Sequence, residues 1–451
     1  MSKGIKIVLI IGPLVLGAYL STLQNLTDNT KTIIWIICLL ICIYGIFGVI
    51  KKEKKEKRDG RKNYYNKRLS ERHESFHIGK PISYINGLGE NPLLKDSFNE
   101  GKNYQEKSKF KDAIIEFKKF LSHPQTTESN RVAANILIGN CYHALSKLKD
   151  AERHYKKALS IATRVKDNNE KLQGTATALE NIGLVYSILG RTKKSLKYHQ
   201  RSLKIYQKIG DELFTANQLH TIGHINKKLG RLKKALKYHQ QALGIYRKID
   251  DNSHTANQLS SIGFIYRDLD KPKKALKYHQ QALDIYRKIG DDSPMANQLS
   301  SIGHIYRDIG QAEKALKYYQ QSLEIHQKKG EELFTANQLD QIGLMYSILG
   351  KPEKALKYHQ QALEIDRKIC PELGIGMPTT LDNIGHIYIE LGKPEEALNY
   401  LKQALDIFKS IGAQQQTENV SRNIDIILKE KPLINIKNIK IQVCNPDGKT
   451  Y

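Results

Sequence analysis

The stretch Asn257-Gln-Leu-Ser-Ser-Ile-Gly-Phe-Ile-Tyr266, with Ala275-Leu-Lys-Tyr-His-Gln-Gln-Ala282 behind it, recurs almost unchanged along the chain. The glycine of this pattern returns every forty residues, at Gly183, Gly223, Gly263, Gly303 and Gly343. Looser copies place it at Gly101, Gly139 and Gly385. A fixed period of this length is typical of stacked supersecondary units, each too small to bury its apolar face alone. The sequence therefore predicts a solenoid of repeats.

The pattern within one repeat predicts two helices joined by a short turn. Leu259, Ile262 and Tyr266 fall on one helical face at i, i+3 and i+7 spacing. The apolar pattern breaks at Leu269-Asp270, where other copies have Leu-Gly, and glycine favours the left-handed conformation that closes a helix. A second apolar run then leads up to Gly290. Each repeat is therefore expected to be a helix-turn-helix hairpin.

The spacing of these residues resembles the tetratricopeptide signature, which here is written Leu259-x2-Ile262-Gly263-x2-Tyr266, then Ala275-x3-His279 and Ala282. The sequence departs from that signature where leucine replaces the usual tryptophan, His279 replaces the second aromatic residue and Arg287 stands in the terminal proline position. The forty-residue length and the Tyr-Arg-Lys-Ile-Gly-Asp junction are similar to those of kinesin light chains and Pins-type adaptors. The resemblance covers roughly residues 97 to 412. It implies an all-α fold, a right-handed superhelix of about eight helix-turn-helix repeats.

The composition and motifs favour a binding protein over an enzyme. The chain has 451 residues, a formal net charge of +26 and a pI near 9.6. The sequence contains no phosphate-binding glycine loop, no His-Glu-x-x-His zinc helix and no nucleophile elbow. Its five cysteines have no spacing that suggests a disulfide framework or a metal site. We expect no catalytic residues, no bound metal and no cofactor.

Two apolar stretches near the N-terminus predict membrane spans. Residues 33–50 contain no charged residue, and residues 5–20 are apolar apart from Lys6. A bilayer core requires about 20 such residues, with a lower limit near 17, so the shorter first stretch, which holds Pro13, leaves open a cleaved signal peptide followed by one span. Under the positive-inside rule, the Lys/Arg run that begins at Lys51 places both ends, and hence the repeats, in the cytoplasm.

These features predict a chain of five parts. Residues 1–50 are expected to form a transmembrane helical hairpin, and residues 51–96 a basic juxtamembrane segment and linker, whose lysines also suit anionic lipid. The repeats occupy residues 97–412, and residues 413–431 are expected to form a capping helix, which a solenoid needs at its end. Residues 432–451 form a C-terminal tail whose pattern is compatible with a short strand or with disorder.

One histidine per repeat recurs where the tetratricopeptide family usually places an aromatic ring. These positions are His199, His239, His279 and His359, with Tyr319 in the equivalent place. Stacked helices lie about 8–10 Å apart, whereas zinc binds imidazole nitrogen at about 2.0–2.1 Å. A column with one histidine per repeat therefore favours packing between helices over metal binding.

An asparagine column on the first helices is the main candidate binding feature. Six residues before the repeat glycine stand Asn217, Asn257, Asn297 and Asn337. Asparagine has a poor helix propensity, so secondary structure does not explain its recurrence, and its amide offers both a donor and an acceptor. The tetratricopeptide resemblance implies that the first helices line a concave groove, in which such amides bind the backbone of an extended peptide. Duplication of the repeats and hydrogen bonds within the protein are the alternative explanations.

Side chains around the asparagine column differ between repeats and would provide selectivity. Close to the repeat glycine, the candidate peptide-binding residues are His220, His224, Lys227, Phe264, Arg267, His304 and Arg307. The three cations of this set suit an acidic peptide, although Asp268 and Asp308 offset part of the charge. The lysines of the second helices, such as Lys233, are expected to lie on a solvated face.

Two functional hypotheses follow. The first is a membrane-anchored scaffold that binds an extended, acidic peptide or protein tail in the concave groove. The second is an electrostatic binder of nucleic acid or anionic lipid. Because the positive charge is interleaved with Glu and Asp and is dense beside the predicted membrane span, the first hypothesis is favoured, and nucleic acid is not the expected partner.

Overall fold

The computed structural model describes residues 92–369 and 376–430, and this part of the chain is built from α-helices. It contains seventeen helices and no strand. The predicted transmembrane hairpin, the basic segment up to residue 91 and the tail from residue 432 lie outside the described residues. None of the described helices is both long and apolar enough to cross a bilayer.

Within these two ranges the helices pair into eight hairpins, each with a first and a second helix, and a single helix follows the last pair. The first helices are α1 (Pro92–Glu106), α3 (Glu128–Ala144), α5 (Asn168–Ile188), α7 (Glu212–Lys228), α9 (Asn252–Asp268), α11 (Asp292–Asp308), α13 (Glu332–Ile348) and α15 (Met377–Glu390). The second helices are α2 (Phe110–Ser122), α4 (Leu148–Ala162), α6 (Thr192–Ile209), α8 (Leu232–Lys248), α10 (Pro272–Ile289), α12 (Ala312–Lys328), α14 (Pro352–Ile369) and α16 (Pro394–Ile411). The final helix is α17 (Gln414–Glu430). The predicted all-α array of helix-turn-helix repeats is confirmed.

The ends of the helices follow from the local sequence. α10 begins at Pro272, because the first turn of a helix does not use the N–H that proline lacks. It ends at Ile289, because the next residue, Gly290, has a φ of +71°, in the left-handed region that glycine adopts without strain. α9 begins after Asp251, whose carboxylate accepts a hydrogen bond from the backbone N–H of His254 at 2.9 Å. This bond caps the free end of the helix.

The repeat glycine lets the two helices of a hairpin approach closely. A Cβ built on Gly263 would lie 2.7 Å from the ring of His279, which is closer than real Cβ atoms come. The same approach brings Gly303 against the ring of Tyr319. A side chain at this position would displace a buried ring from a close-packed core. Packing therefore explains why glycine recurs at the forty-residue interval.

The apolar core continues from one hairpin to the next. Leu259 and Ile262 of α9 share a buried cluster with Tyr286 of α10, the second helix of the same repeat. The cluster also includes Leu243 of α8, which belongs to the preceding repeat. Each first helix is therefore packed on both sides, and a repeat buries part of its apolar face on its neighbour.

Candidate peptide-binding face of the first helices

The candidate site is formed by the asparagine column and the residues around it on α7, α9, α11 and α13, here called the first-helix face. Side-chain hydrogen bonds link neighbouring first helices directly. Arg307 Nη1 of α11 donates to Gln341 Oε1 of α13 at 2.9 Å, and Gln338 Nε2 of α13 donates to Ser300 Oγ of α11 at 3.2 Å. Neighbouring first helices are therefore adjacent, and equivalent positions on them form rows.

Two members of the asparagine column are held by tyrosines from the second helix of the same repeat. Asn217 Oδ1 accepts a hydrogen bond from Tyr246 Oη at 2.5 Å, and Asn257 Oδ1 accepts one from Tyr286 Oη at 2.7 Å. Both tyrosines are buried, and burial raises the pKa of both phenols. A buried hydroxyl without a partner costs about 1–3 kcal/mol. These two asparagines therefore contribute to the stability of their own repeats.

The other two members of the column are exposed. Asn297 and Asn337 follow in the next two repeats, where His326 and Asp366 replace the tyrosine. Within the described ranges, Asn337 Oδ1 accepts one long hydrogen bond, from Gln338 Nε2 at 3.4 Å, and the side chain of Asn297 makes none. Their amides are presented at the surface.

A glutamine column beside the asparagines connects consecutive repeats. The second-helix histidine of one repeat bonds through Nδ1 to a glutamine Oε1 of the next repeat, at 2.8–2.9 Å, in the pairs His199–Gln218, His239–Gln258 and His279–Gln298. The rings are buried, as the packing hypothesis predicts. Burial lowers the pKa of His199 and of His279 to about 4. These rings are therefore neutral near pH 7.

His220 and His224 belong to a cluster of three histidines. Their ring centroids lie 4.4 Å apart, and they lie 5.5 and 4.9 Å, respectively, from the ring centroid of His239. Gln258 bridges two of the rings, with Nε2 2.6 Å from His220 Nδ1 and Oε1 2.8 Å from His239 Nδ1. Burial is the main cause that lowers the pKa of His220 to about 3 and that of His224 well below its usual value. The structure places both predicted site residues in the contact between α7, α8 and α9.

Phe264 and His304 pack edge-on against a ring of their own repeat. The ring centroids of Phe264 and His279 lie 4.7 Å apart, and those of His304 and Tyr319 lie 5.3 Å apart. His304 Nδ1 also lies 2.8 Å from Tyr319 Oη. Both Phe264 and His304 remain partly exposed, so they border the first-helix face while they support the core.

The three predicted cations bridge neighbouring first helices. Lys227 Nζ lies 3.1 Å from Asp268 Oδ2, and Arg267 Nε lies 3.2 Å from Asp308 Oδ2. Arg307, which is only 7% exposed, also pairs with Asp308, at 2.9 Å. Because carboxylates compensate these cations, the row offers less positive charge to an acidic ligand than the sequence suggests.

The glutamine column is a feature that the sequence prediction misses. Its signal is visible, because glutamine follows each member of the asparagine column in a recurring Asn-Gln-Leu. Successive residues of a helix point about 100° apart, so Gln258 faces the preceding second helix while Asn257 faces its own. Among the described residues, no group of three or more His, Cys, Asp or Glu side chains is arranged to hold a metal ion.

Comparison with known protein families agrees with this architecture. A profile described as "Tetratricopeptide repeat" matches residues 131–208, 174–248, 212–288 and 294–368, which cover more than half of the chain. A second profile of the same description matches residues 378–410. The chain belongs to the tetratricopeptide repeat family. No curated protein matches its sequence.

Solved structures share the tetratricopeptide fold at low sequence identity. The signal transduction ATPase PH0952 from Pyrococcus horikoshii, which has a tetratricopeptide repeat sensor, is 18% identical with a TM-score of 0.50, over 78% of this chain and 54% of that one. The apo form of RapI is 19% identical with a TM-score of 0.49, over 62% and 99%. A putative kinesin light chain from Podospora anserina is 16% identical with a TM-score of 0.38, over 43% and 95%. The likeness to all three structures concerns the fold alone.

Proposed function

We propose that this tetratricopeptide array is a non-enzymatic scaffold that binds an extended peptide on the first-helix face. The observation that supports this most directly is the pair of exposed amides, Asn297 and Asn337, on adjacent first helices. Each amide can donate to a peptide carbonyl and accept from a peptide N–H. Membership of the family supports a binding role, because stacked repeats present extended, preformed surfaces. Both matching profiles describe a repeat and not a catalytic domain.

The separation of the two amides suits the backbone of an extended peptide. Packed helices lie about 8–10 Å apart, and an extended chain rises about 3.3 Å per residue. Asn297 and Asn337 would therefore bond to backbone groups about three residues apart. Recognition of the backbone at this interval leaves the peptide side chains to be selected by the variable residues of the face, such as Phe264 and His304.

We propose that the preference of this face for acidic peptides is modest. Lys227 is the most exposed of the three cations, with 33% of its side chain accessible, and its ammonium lies 5.3 Å from the ring centroid of Phe264. A peptide carboxylate could join Lys227 there, but Asp268 already compensates part of its charge. Most of the affinity is therefore assigned to the amides, and an acidic side chain adds selectivity.

Replacing both exposed asparagines, in Asn297→Ala/Asn337→Ala, is expected to weaken binding of the peptide partner by about 5- to 150-fold, since two backbone hydrogen bonds contribute about 1–3 kcal/mol. The stability should stay within about 0.5 kcal/mol of the wild type, because both side chains are exposed. The partner is isolated by affinity capture with the full chain, and its affinity is then measured by calorimetry.

The matched control is Asn217→Ala/Asn257→Ala, which removes two amides that accept hydrogen bonds from Tyr246 and Tyr286. It should lower the melting temperature, because two buried hydroxyls lose their acceptor. It should reduce the affinity of the folded protein for the peptide less than Asn297→Ala/Asn337→Ala does. An equal loss of affinity in both variants, or no loss in the exposed pair, would argue against the proposed site.

We also propose that residues 5–20 and 33–50 anchor the array to a membrane, with the repeats in the cytoplasm. The support is their apolar sequence and the basic run that follows them. Deleting residues 1–58 is expected to release a helical protein into the soluble fraction, as measured by sedimentation and circular dichroism. If the folded fragment still sediments with membranes in high salt, the anchor is not in these residues.

A further inference from the structure

The positive charge of the array is concentrated on three successive second helices. With Lys and Arg counted as +1 and Asp and Glu as −1, α6, α8 and α10 carry +6, +5 and +4. The later second helices α12, α14 and α16 carry +1, +1 and −1. The first helices between them, α7 and α9, carry +1 and 0. Because the repeats are otherwise nearly identical, the charge is a property of these three helices and not of the repeat.

The cations of the three helices form one exposed set, here called the basic surface. It consists of Lys193, Lys194, Lys197, Arg201, Lys204 and Lys208 on α6, Lys233, Lys234, Lys237, Arg247 and Lys248 on α8, and Lys273, Lys274, Lys277, Arg287 and Lys288 on α10, all of them exposed. Residues 193 to 208 extend over about 22 Å at 1.5 Å per residue. Three successive repeats carry such rows, so the basic surface extends in two dimensions.

Few of these charges are compensated within the protein. Among the residues that the structure describes, acidic side chains pair with two of the cations, in Lys248–Glu212 and, at 3.4 Å, Arg287–Asp284. Repulsion within a set of like charges disfavours the folded state. Stability of the fold therefore does not explain the basic surface, and an anionic partner would.

The aromatic side chains beside the basic surface are already covered. Tyr186 and Tyr198 stack on each other with ring centroids 5.4 Å apart, and Lys194 Nζ lies 5.6 Å from the ring centroid of Tyr186. Tyr266 and Tyr278 form the same kind of pair at 5.3 Å. Proteins that bind single-stranded nucleic acid combine a basic groove with open aromatic platforms for the bases. A two-dimensional set of cations without such platforms fits an array of lipid headgroups better.

We propose that the basic surface docks on an anionic lipid membrane. The interaction goes beyond peptide binding, because it uses the second helices and leaves the first-helix face to the peptide. Headgroups such as phosphatidylserine attract clustered Lys and Arg side chains, and salt screens this attraction. The proposed anchor at residues 33–50 would raise the local concentration of headgroups around the basic surface.

The test combines the full chain with vesicles of phosphatidylcholine, with or without phosphatidylserine, and measures the acetylation rate of individual lysines by mass spectrometry. Lys197, Lys237 and Lys277 are expected to react about tenfold more slowly on the anionic vesicles, and high salt should restore their rates. Lys317 and Lys357 occupy the same position in α12 and α14. They should change little and are the internal controls.

A variant in which three charges of the basic surface are reversed tests whether these charges cause the protection. Lys193→Glu/Lys233→Glu/Lys273→Glu introduces the residue that Glu313 and Glu353 supply at the same position of later repeats, so the fold is expected to accept it. The protection of the remaining lysines should fall from about tenfold to less than about twofold. The control variant Lys317→Glu/Lys357→Glu/Lys402→Glu changes the net charge equally outside the basic surface and should keep the protection.

Three results would overturn the proposal. The first is equal protection on vesicles of phosphatidylcholine alone, and the second is no protection on either kind of vesicle. The third is protection by duplex DNA, at the same phosphate concentration, that is as strong as on the anionic vesicles and is equally lost in the basic-surface variant. That result would assign the basic surface to nucleic acid.

Discussion

Lowering the pH from 7 to 5 is expected to destabilise the array strongly, mainly through its buried and half-buried histidines. Burial lowers the pKa of five of them to about 3 or 4, namely His154, His199, His220, His279 and His304. The pKa values of His224 and His239 are lowered by the same cause. The folded array therefore keeps the rings whose pKa is about 3 or 4 neutral throughout this pH range, whereas in the unfolded chain each takes up a proton near pH 6.5.

The direction of the effect follows from the number of protons that each state binds. Between about pH 4 and pH 6.5 the unfolded chain binds more protons than the folded array, so the free energy of unfolding decreases as the pH falls through this interval. Above pH 6.5 both states hold neutral rings, and the stabilisation is complete. At pH 5 each ring lowers the free energy of unfolding by about 2 kcal/mol, because the loss is about 1.4 kcal/mol for each pH unit below pH 6.5. These rings lie in different repeats, so acid is expected to weaken the array at several places along its length.

Two carboxyl groups, the half-buried Glu180 and the buried Asp366, act in the opposite direction. Burial raises the pKa of Glu180 to about 7 and that of Asp366 to about 6. Their folded forms bind more protons than the unfolded chain, so they gain stability as the pH falls. Their combined effect between pH 7 and pH 5 is about 3–4 kcal/mol. Since this is less than half of the histidine effect, the net result is destabilisation by acid.

Thermal melts of the full chain at pH 8, 7, 6 and 5, followed by circular dichroism, measure this effect. The control variant His279→Phe/Gln298→Ala removes one titrating ring together with its partner. It copies Phe117 and Ala134, which occupy the same two positions early in the array and pack in one buried cluster. In this pH range, the number of protons that the variant takes up on unfolding should be smaller by about one than that of the wild type. A melting temperature that stays constant or rises between pH 7 and pH 5 would contradict the assignment of neutral buried rings.

The sequence predicts the helices of this fold well because each recurring residue has a local physical cause. Gly263 recurs because the ring of His279 leaves no room for a Cβ, and Gly290 recurs because its φ of +71° closes a helix. These causes lie within one hairpin, so a single repeat shows them and the next copies repeat them. The pairing of helices into hairpins follows directly.

The sequence predicts less well which neighbour a polar side chain meets. Asn257 and Asn297 occupy the same position in nearly identical repeats, but Tyr286 donates to Asn257, whereas the repeat of Asn297 has His326 in the position of that tyrosine. The partner lies on the second helix, so the contact depends on packing and not on spacing within one helix. The sequence likewise indicates that Asp268 offsets part of the positive charge, but it does not show that Asp268 pairs with Lys227 of the preceding first helix.

The variant His279→Tyr is expected to destabilise its repeat by about 1–3 kcal/mol, because a new buried hydroxyl would have no acceptor. Tyrosine occupies this ring position in two other repeats. Tyr155 Oη donates to Asn140 Oδ1 at 2.8 Å, and Tyr319 Oη lies 2.8 Å from His304 Nδ1. In both repeats the partner directly follows the repeat glycine, where the central repeat has Phe264.

Adding Phe264→His to His279→Tyr should restore most of the lost stability, because the pair then reproduces His304 and Tyr319. Gln298, which loses the hydrogen bond to the ring of His279, also has an alternative hydrogen-bond partner. In the repeat after Tyr319, Gln338 Nε2 donates to Ser300 Oγ at 3.2 Å, and a serine stands at the equivalent position before Gln298 as well. The double variant therefore copies an arrangement that the array already contains.

Hydrogen exchange measured on peptides from α9 and α10 gives the local free energies, which suits an array whose repeats need not unfold together. In a cycle of the wild type, the two single variants and the double variant, we expect a coupling energy of about 1–2 kcal/mol, within the range found for residues in contact. Phe264→His alone should have a small effect, since the ring opposite remains a histidine. If the two substitutions are additive, the residue after the repeat glycine does not determine which ring the second helix can bury.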